Sequence, residues 1–149
     1  WLKRDCGVDE VINYKTCGDL TKALSNAAPD GVDVYFENVG GDHLQAALNV
    51  MNHFGRIVAC GMIGTYNNTE PKPGPNNLML IVGKKVRING FIVFDHNDMR
   101  SQFLSDMESW IKNENLVVRE TIVEGLENSV DAFLALFSGK NFGKMIVKL

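Results

Sequence analysis

Short apolar runs and polar breaks succeed one another along the chain, and their spacing predicts strands and helices in alternation. Val11-Ile12-Asn13-Tyr14 predicts a short strand. Residues 18–28 predict a helix with Leu20, Ala23, Leu24 and Ala27 on one face, ended by Pro29-Asp30-Gly31. Residues 32–39 predict a strand stopped by Gly40-Gly41. A helix is expected over 42–54, where Leu44, Ala47, Leu48 and Met51 keep helical spacing. Asp42 with Gln45 makes a capping box for it, and Gly55 closes it. Within 56–61, Ile57-Val58-Ala59-Cys60 is unbroken apolar, which predicts a strand covered on both faces, as in a parallel sheet.

Residues 64–77 break this rhythm with Pro71, Pro73 and Pro75, three of the four prolines. Irregular loops of this length tend to be functional. A short helix at 78–82 and a strand at 86–94 follow, then a helix at 98–112 with Phe103, Met107, Trp110 and Ile111 on one side. The tail predicts a strand (119–123), a helix carrying Val130, Phe133, Leu134 and Phe137, and a last strand (145–147). Residues 1–7 read as the final turn of a helix, basic at Lys3 and Arg4, with Gly7 where a left-handed cap belongs. That reading expects a chain cut from a longer one, inside an element.

Alternating strands and helices with buried strands predict an α/β fold, a doubly wound parallel sheet. Such sheets take ligands beyond the carboxyl ends of their strands. The positions to inspect are therefore Tyr14, 38–41, 60–66 and 91–97.

Composition narrows the function. The 149 residues suit one domain, and 45% hydrophobic with 22% charged residues is ordinary for a globular chain rather than a disordered one. The net charge of −3, without a Lys/Arg block, argues against a nucleic-acid partner. The longest aliphatic run, 78–82, falls far short of the roughly 20 residues that cross a bilayer. Cys6, Cys17 and Cys60 are odd in number and form no CxxC pair, which points to a reducing compartment, hence the cytoplasm. His43, His53 and His96 show no metal-ligand spacing, so no metal is expected.

Two segments carry candidate chemistry. In Glu37-Asn38-Val39-Gly40-Gly41 a strand runs into glycines and a helix start, and Asn38 offers both a donor and an acceptor. The segment reads equally as a ligand-facing turn or as a plain tight turn. No GxGxxG fingerprint occurs in the chain. In 60–66, Tyr66 presents a phenol able to donate to a developing oxyanion, or simply to pack the loop. Cys60 reads as a small core residue. Asp33, Glu37, Asp95 and Asp98 read as exposed strand ends and caps. His96 is a weaker candidate at the same rim. Met51, Phe103, Met107 and Trp110 read as core.

Several motifs occur in a suggestive order: Val11-Ile12-Asn13-Tyr14-Lys15-Thr16, Asp33-Val34-Tyr35-Phe36-Glu37-Asn38-Val39-Gly40-Gly41, and Gly55-Arg56-Ile57-Val58-Ala59-Cys60-Gly61 with Thr65-Tyr66-Asn67. Gly90-Phe91-Ile92-Val93, Glu124-Gly125-Leu126-Glu127-Asn128 and Gly139-Lys140-Asn141-Phe142-Gly143-Lys144 complete the set. Together they resemble the zinc-independent medium-chain dehydrogenase/reductases, in the prostaglandin reductase / leukotriene B4 12-hydroxydehydrogenase branch. The resemblance implies that 1–116 is the later part of a Rossmann domain that binds NADP (NADPH). It implies that 117–149 returns to a GroES-like substrate domain. The glycine-rich loop of the first βαβ part would lie upstream of Trp1, so the chain alone is not expected to turn over.

By the same resemblance, Tyr14 would lie near the adenosine phosphate and Asn38 beside the cofactor. Cys60, Gly61, Met62, Ile63, Gly64, Thr65 and Tyr66 would pass the nicotinamide ribose. Phe91, Ile92 and Val93 would line the nicotinamide, and Asn141 would reach it from the tail. Some relatives carry a tyrosine in the helix that here holds Val82-Gly83. The implied reaction is reduction of the double bond of an α,β-unsaturated ketone or aldehyde, with Tyr66 as the donor to the enolate oxygen. Relatives pair edge strands, which implies a homodimer through 86–94. A non-catalytic α/β binding or dimerisation module is the alternative. A third reading is a methyltransferase-like fold with Glu37 holding a ribose.

Overall fold

A computed structural model describes residues 1–113 and 116–149, which divide into two compact units, Trp1–Arg100 and Ser101–Leu149. The first unit opens with α1 (Leu2–Asp5), which ends at Gly7 with φ +70°, as its sequence predicts. α2 (Leu20–Ala27) starts where the Asp19 carboxylate accepts the Lys22 amide hydrogen at 3.0 Å. β1 (Val32–Glu37), α3 (Gly41–Val50), β2 (Met51–Ala59), α4 (Met79–Lys84) and β3 (Arg87–Gly90) follow.

The three strands form one parallel sheet in the order β1-β2-β3, with Tyr35 opposite Ile57 and Ile57 opposite Ile88. The core lies under one face. Leu44, Leu48, Met51, Ile57 and Val86 are buried there, with Val32, Tyr35, Leu80 and Ile81 packed against them. Leu48 is fully buried, and burying one leucine contributes about 1.5–3 kcal/mol. The Lys84 ammonium donates to the Leu48 and Asn49 carbonyls at 3.1 and 2.7 Å, satisfying the last turn of α3 where cations are favoured.

Several expectations are corrected. The helix placed at 42–54 ends at Val50, because Met51 already pairs with Val32. Met51 is buried in the shared core, so its apolar character fits either element. The register then shifts between Val32 and Val34, and Phe54 takes φ +63° on the surface. Gly40, not Asp42, is the N-cap, with no side-chain cap bond. The Gln45 amide oxygen instead accepts the Asn76 N–H at 3.0 Å.

No strand forms at 11–14. The Asn13 side chain accepts the Lys15 amide at 3.0 Å and bends the backbone into a turn. The strand placed at 86–94 ends at Gly90. The Phe91 N–H still reaches the Ala59 carbonyl at 3.2 Å, but β2 stops there and a 3-10 run begins at Val93. Nor is β2 fully covered on both faces: Ile57 is buried while Arg56 and Val58, on the opposite face, are exposed and partly covered, and on the far face of β1 Val34 and Phe36 are half exposed.

The second unit contains most of α5 (Arg100–Lys112), β4 (Glu120–Glu124), α6 (Ser129–Phe137) and β5 (Lys144–Lys148). β4 and β5 pair in parallel, with Ile122 opposite Ile146. Thr121 closes the pair by exchanging two hydrogen bonds with the Phe142 backbone, at 2.9 and 2.8 Å. Phe103, Trp110 and Ile111 are exposed, so the α5 stripe read as core is not buried in this structure.

Candidate functional site

Parallel strands put their carboxyl ends on one rim, and the turns that follow β1 and β2 are laced together there. The Cys60 and Gly61 amides donate to the Glu37 carbonyl at 2.9 and 3.1 Å. The Ile63 amide donates to the Asn38 carbonyl at 2.9 Å, and the Gly64 amide to the Val39 carbonyl at 3.0 Å. Contact this close restricts side chains. Gly40 has φ +76° and ψ −162°, a region essentially confined to glycine, and a Cβ there would stand 3.1 Å from the Met62 Cβ.

Glu37 is the buried charge of this rim, with no exposed surface. Its Oε1 accepts the Val39 and Gly40 amides at 2.5 and 2.8 Å and the Tyr35 hydroxyl at 3.2 Å. Its Oε2 is buried and has no partner among the described residues. Three hydrogen bonds to a charged acceptor, about 1.5–3 kcal/mol each, work against the cost of burying this carboxylate. Burial, then the Glu37 charge and hydrogen bond, hold the Tyr35 hydroxyl well above the ordinary tyrosine range, so it stays protonated as a donor. These contacts correct two expectations. Glu37 is not an exposed strand end. Nor can it hold a ribose in a methyltransferase-like site, because the side chain has no exposed surface and its Oε1 is committed to its own backbone and to Tyr35.

The second turn carries Tyr66, next after the 3-10 turn Ile63–Thr65. Its phenolic oxygen accepts the Met62 amide hydrogen at 3.2 Å. The point where a Cβ on Gly61 would stand lies 3.1 Å from that oxygen and 3.9 Å from the Asn38 side-chain oxygen. Asn38 and Tyr66 therefore converge on Gly61, and both side chains face solvent. A hydroxyl that accepts an N–H is polarised toward donating its own proton. Met62, Ile63, Gly64 and Thr65 are exposed around it. So is Cys60, which corrects its reading as a core residue: β2 has ended one position earlier.

Phe91 follows β3 on the same rim, its ring edge-on to Phe36 at 6.1 Å and tilted against His96 at 6.1 Å. Ile92 and Val93 are exposed beside it. The Tyr14 ring packs edge-on against His43 in the first turn of α3, with 5.0 Å between centroids. Asn141 belongs to the second unit, where its amide donates to the Gly143 carbonyl at 2.8 Å. Sequence reasoning missed two features. One is the Tyr35–Glu37 pair, whose signal is an i, i+2 spacing that puts both on the buried face. The other is the anchor of the proline-rich loop, where the Asn77 amide donates to the Gln45 carbonyl and the Asn49 side chain, each at 2.9 Å.

Residues 2–109 match the family model described as zinc-binding dehydrogenase. The chain belongs to that family. Within it, the chain is 44% identical over 146 residues to a 2-alkenal reductase (NADP(+)-dependent) of Nicotiana tabacum, covering 98% of this chain and 42% of that protein. It is 42% identical over 150 residues to prostaglandin reductase 1 of Bos taurus, covering 99% and 45%. The fold is similar to that of CurA from Vibrio vulnificus, solved in complex with NADPH, with a TM-score of 0.89 and 38% identity over 99% of this chain and 45% of that one. The resemblance to the prostaglandin reductase branch is thus borne out, as is the Rossmann-like α/β class. The chain spans less than half the length of these relatives. Among the described residues, no group of three or more His, Cys, Asp and Glu is placed to hold a metal ion.

Proposed function

We propose that the full-length protein carrying this chain reduces the carbon–carbon double bond of α,β-unsaturated ketones and aldehydes with NADPH. The observation that carries the reading is the convergence of the Asn38 amide and the Tyr66 phenol at the glycine rim of a parallel sheet. The rim suits a nicotinamide dinucleotide: at Gly61 the backbone lies open where a side chain would crowd Tyr66. When bound, NADPH supplies a hydride to the β carbon of the enone.

The chain's own residues do the rest. Asn38 and 60–66 would hold the nicotinamide ribose, with Phe91, Ile92 and Val93 beside the ring. Tyr14 would lie at the adenosine phosphate, and Asn141 would reach the cofactor from the tail. Tyr66 would donate a hydrogen bond to the carbonyl oxygen as charge develops there. It is preset for this, because the Met62 N–H already fixes the oxygen. Residues 1–116 would then serve the NADP-binding domain and 117–149 the substrate domain, and the isolated chain would not turn over.

The decisive experiment follows NADPH oxidation by an enone in the full-length protein. Removing one preorganised donor costs about 10²–10³ in kcat, so Tyr66→Phe should fall by that order with little change in KM for NADPH. Unchanged turnover removes Tyr66 from the mechanism, and absence of NADPH oxidation in the wild type overturns the reading.

A homodimer through 86–94 is supported by β3, an edge strand whose four residues are all exposed. A strictly monomeric protein in sedimentation, at high concentration, would exclude that interface. The same edge would serve the non-catalytic dimerisation module, which enzymatic turnover rules out. Three free cysteines favour a reducing, cytoplasmic setting. No helix among the described residues is long and apolar enough to cross a membrane.

A further inference from the structure

We propose that Glu37 is a positioning residue for enone reduction: its carboxylate grips the turn that sets Asn38 and, through the backbone, Tyr66. The proposal rests on the reductase reading of those two side chains. Glu37 does not touch the rim's open surface, since it is fully buried. It acts through three links. Its Oε1 takes the Val39 and Gly40 amides, which fixes the backbone on the far side of Asn38. The Asn38 and Val39 carbonyls, held by that grip, take the Ile63 and Gly64 amides. The Met62–Tyr66 turn so secured aims the phenol, whose oxygen takes the Met62 amide.

Tyr35 steadies the carboxylate from the strand side, through the hydroxyl bond to the same Oε1. Among the described residues no other side chain bonds the Val39 and Gly40 amides, and the cap of α3 has no side-chain bond of its own. An aliphatic residue at this position would fill the space and leave both amides unpaired. The grip is therefore aimed at the geometry of the rim rather than at packing alone. A misplacement of about 1 Å at such a rim can cost 10²-fold in rate.

The test uses the full-length protein, with Glu37→Gln and Glu37→Leu as a graded pair. Glutamine keeps an oxygen at the same reach without the charge; leucine keeps only bulk. Amide hydrogen exchange is read in peptides covering 38–41 and 61–66, and kcat is counted per NADPH-binding site. Exchange in both peptides should rise about two- to fivefold in Glu37→Gln and at least tenfold in Glu37→Leu, with β2 and β3 still protected. The site-normalised kcat should fall in the same order, by about tenfold or more in Glu37→Leu, while KM for the enone stays within about twofold.

Wild-type exchange in Glu37→Gln, or a rise spread evenly over the sheet in either variant, overturns the proposal. So does an unchanged site-normalised kcat alongside loosened turns. If Glu37→Leu does not fold, the near-isosteric Glu37→Gln still decides the matter. Exchange does not depend on the reaction, so a wild type that reduces no enone defeats the reductase reading and leaves the grip itself measured.

Discussion

A Cβ on Gly61 would stand 3.1 Å from the phenolic oxygen of Tyr66. Gly61 is not among the left-handed glycines, so alanine suits its backbone. The obstacle is the far end of an exposed ring, which can swing aside at the cost of the Met62 bond. Gly61→Ala is expected to change folding stability by no more than about 0.5 kcal/mol in urea titration. Enone turnover should nevertheless fall as Tyr66→Phe does. Wild-type kcat in Gly61→Ala would show that the phenol's placement is irrelevant.

Gly40 presents the opposite case. Its φ of +76° strains any side chain, and the neighbouring Met62 leaves little room. Gly40→Ala should destabilise the full-length protein by about 1–3 kcal/mol, seen as a lower urea midpoint with an unchanged slope. NADPH affinity should drop as well, because the turn that carries Asn38 shifts. Equal midpoints for variant and wild type would contradict the strain.

Tyr35 makes stability sensitive to alkali. An unfolded tyrosine ionises near pH 10, but in the folded protein burial and the Glu37 charge keep this hydroxyl protonated above that point. The unfolded chain then releases a proton that the folded state retains, so this contribution is present in full below about pH 10 and is lost as the pH rises further. Urea midpoints between about pH 9 and 11 should fall more steeply for wild type than for Tyr35→Phe. Parallel slopes would refute the shift.

Cys60 is exposed at the rim, whereas Cys6 and Cys17 are partly covered. Iodoacetamide should therefore modify Cys60 first, since access to the thiolate governs the rate. Added NADPH should slow Cys60 by several-fold and leave the other two unchanged, as read by peptide mass spectrometry. Equal protection of all three would mean that the dinucleotide does not lie along 60–66.

How much of this was legible beforehand depends on the range of the interaction. β1 and α2 were readable because apolar spacing and the Asp19 cap act within a few residues. The end of α3 was not, because Met51 is buried whether it belongs to helix or strand, and only pairing with Val32 decides. Val11 to Tyr14 has strand composition, but a strand also needs a partner, and the Asn13 turn prevails. The rim itself was placed by topology, with Asn38, Tyr66 and Phe91 each just beyond a strand or its turn. Glu37 was misjudged because a carboxylate normally avoids burial, and the two amides that compensate it lie in the following turn.

The stretch from Pro71 to Pro75 is suspended between two moorings, the Asn38–Val39 carbonyls before it and Gln45 after it. Doubling such a span raises its closure penalty by only about 0.6 kcal/mol. Natural variation can therefore lengthen, trim or rewrite this segment while the aromatic hydroxyl upstream keeps its aim.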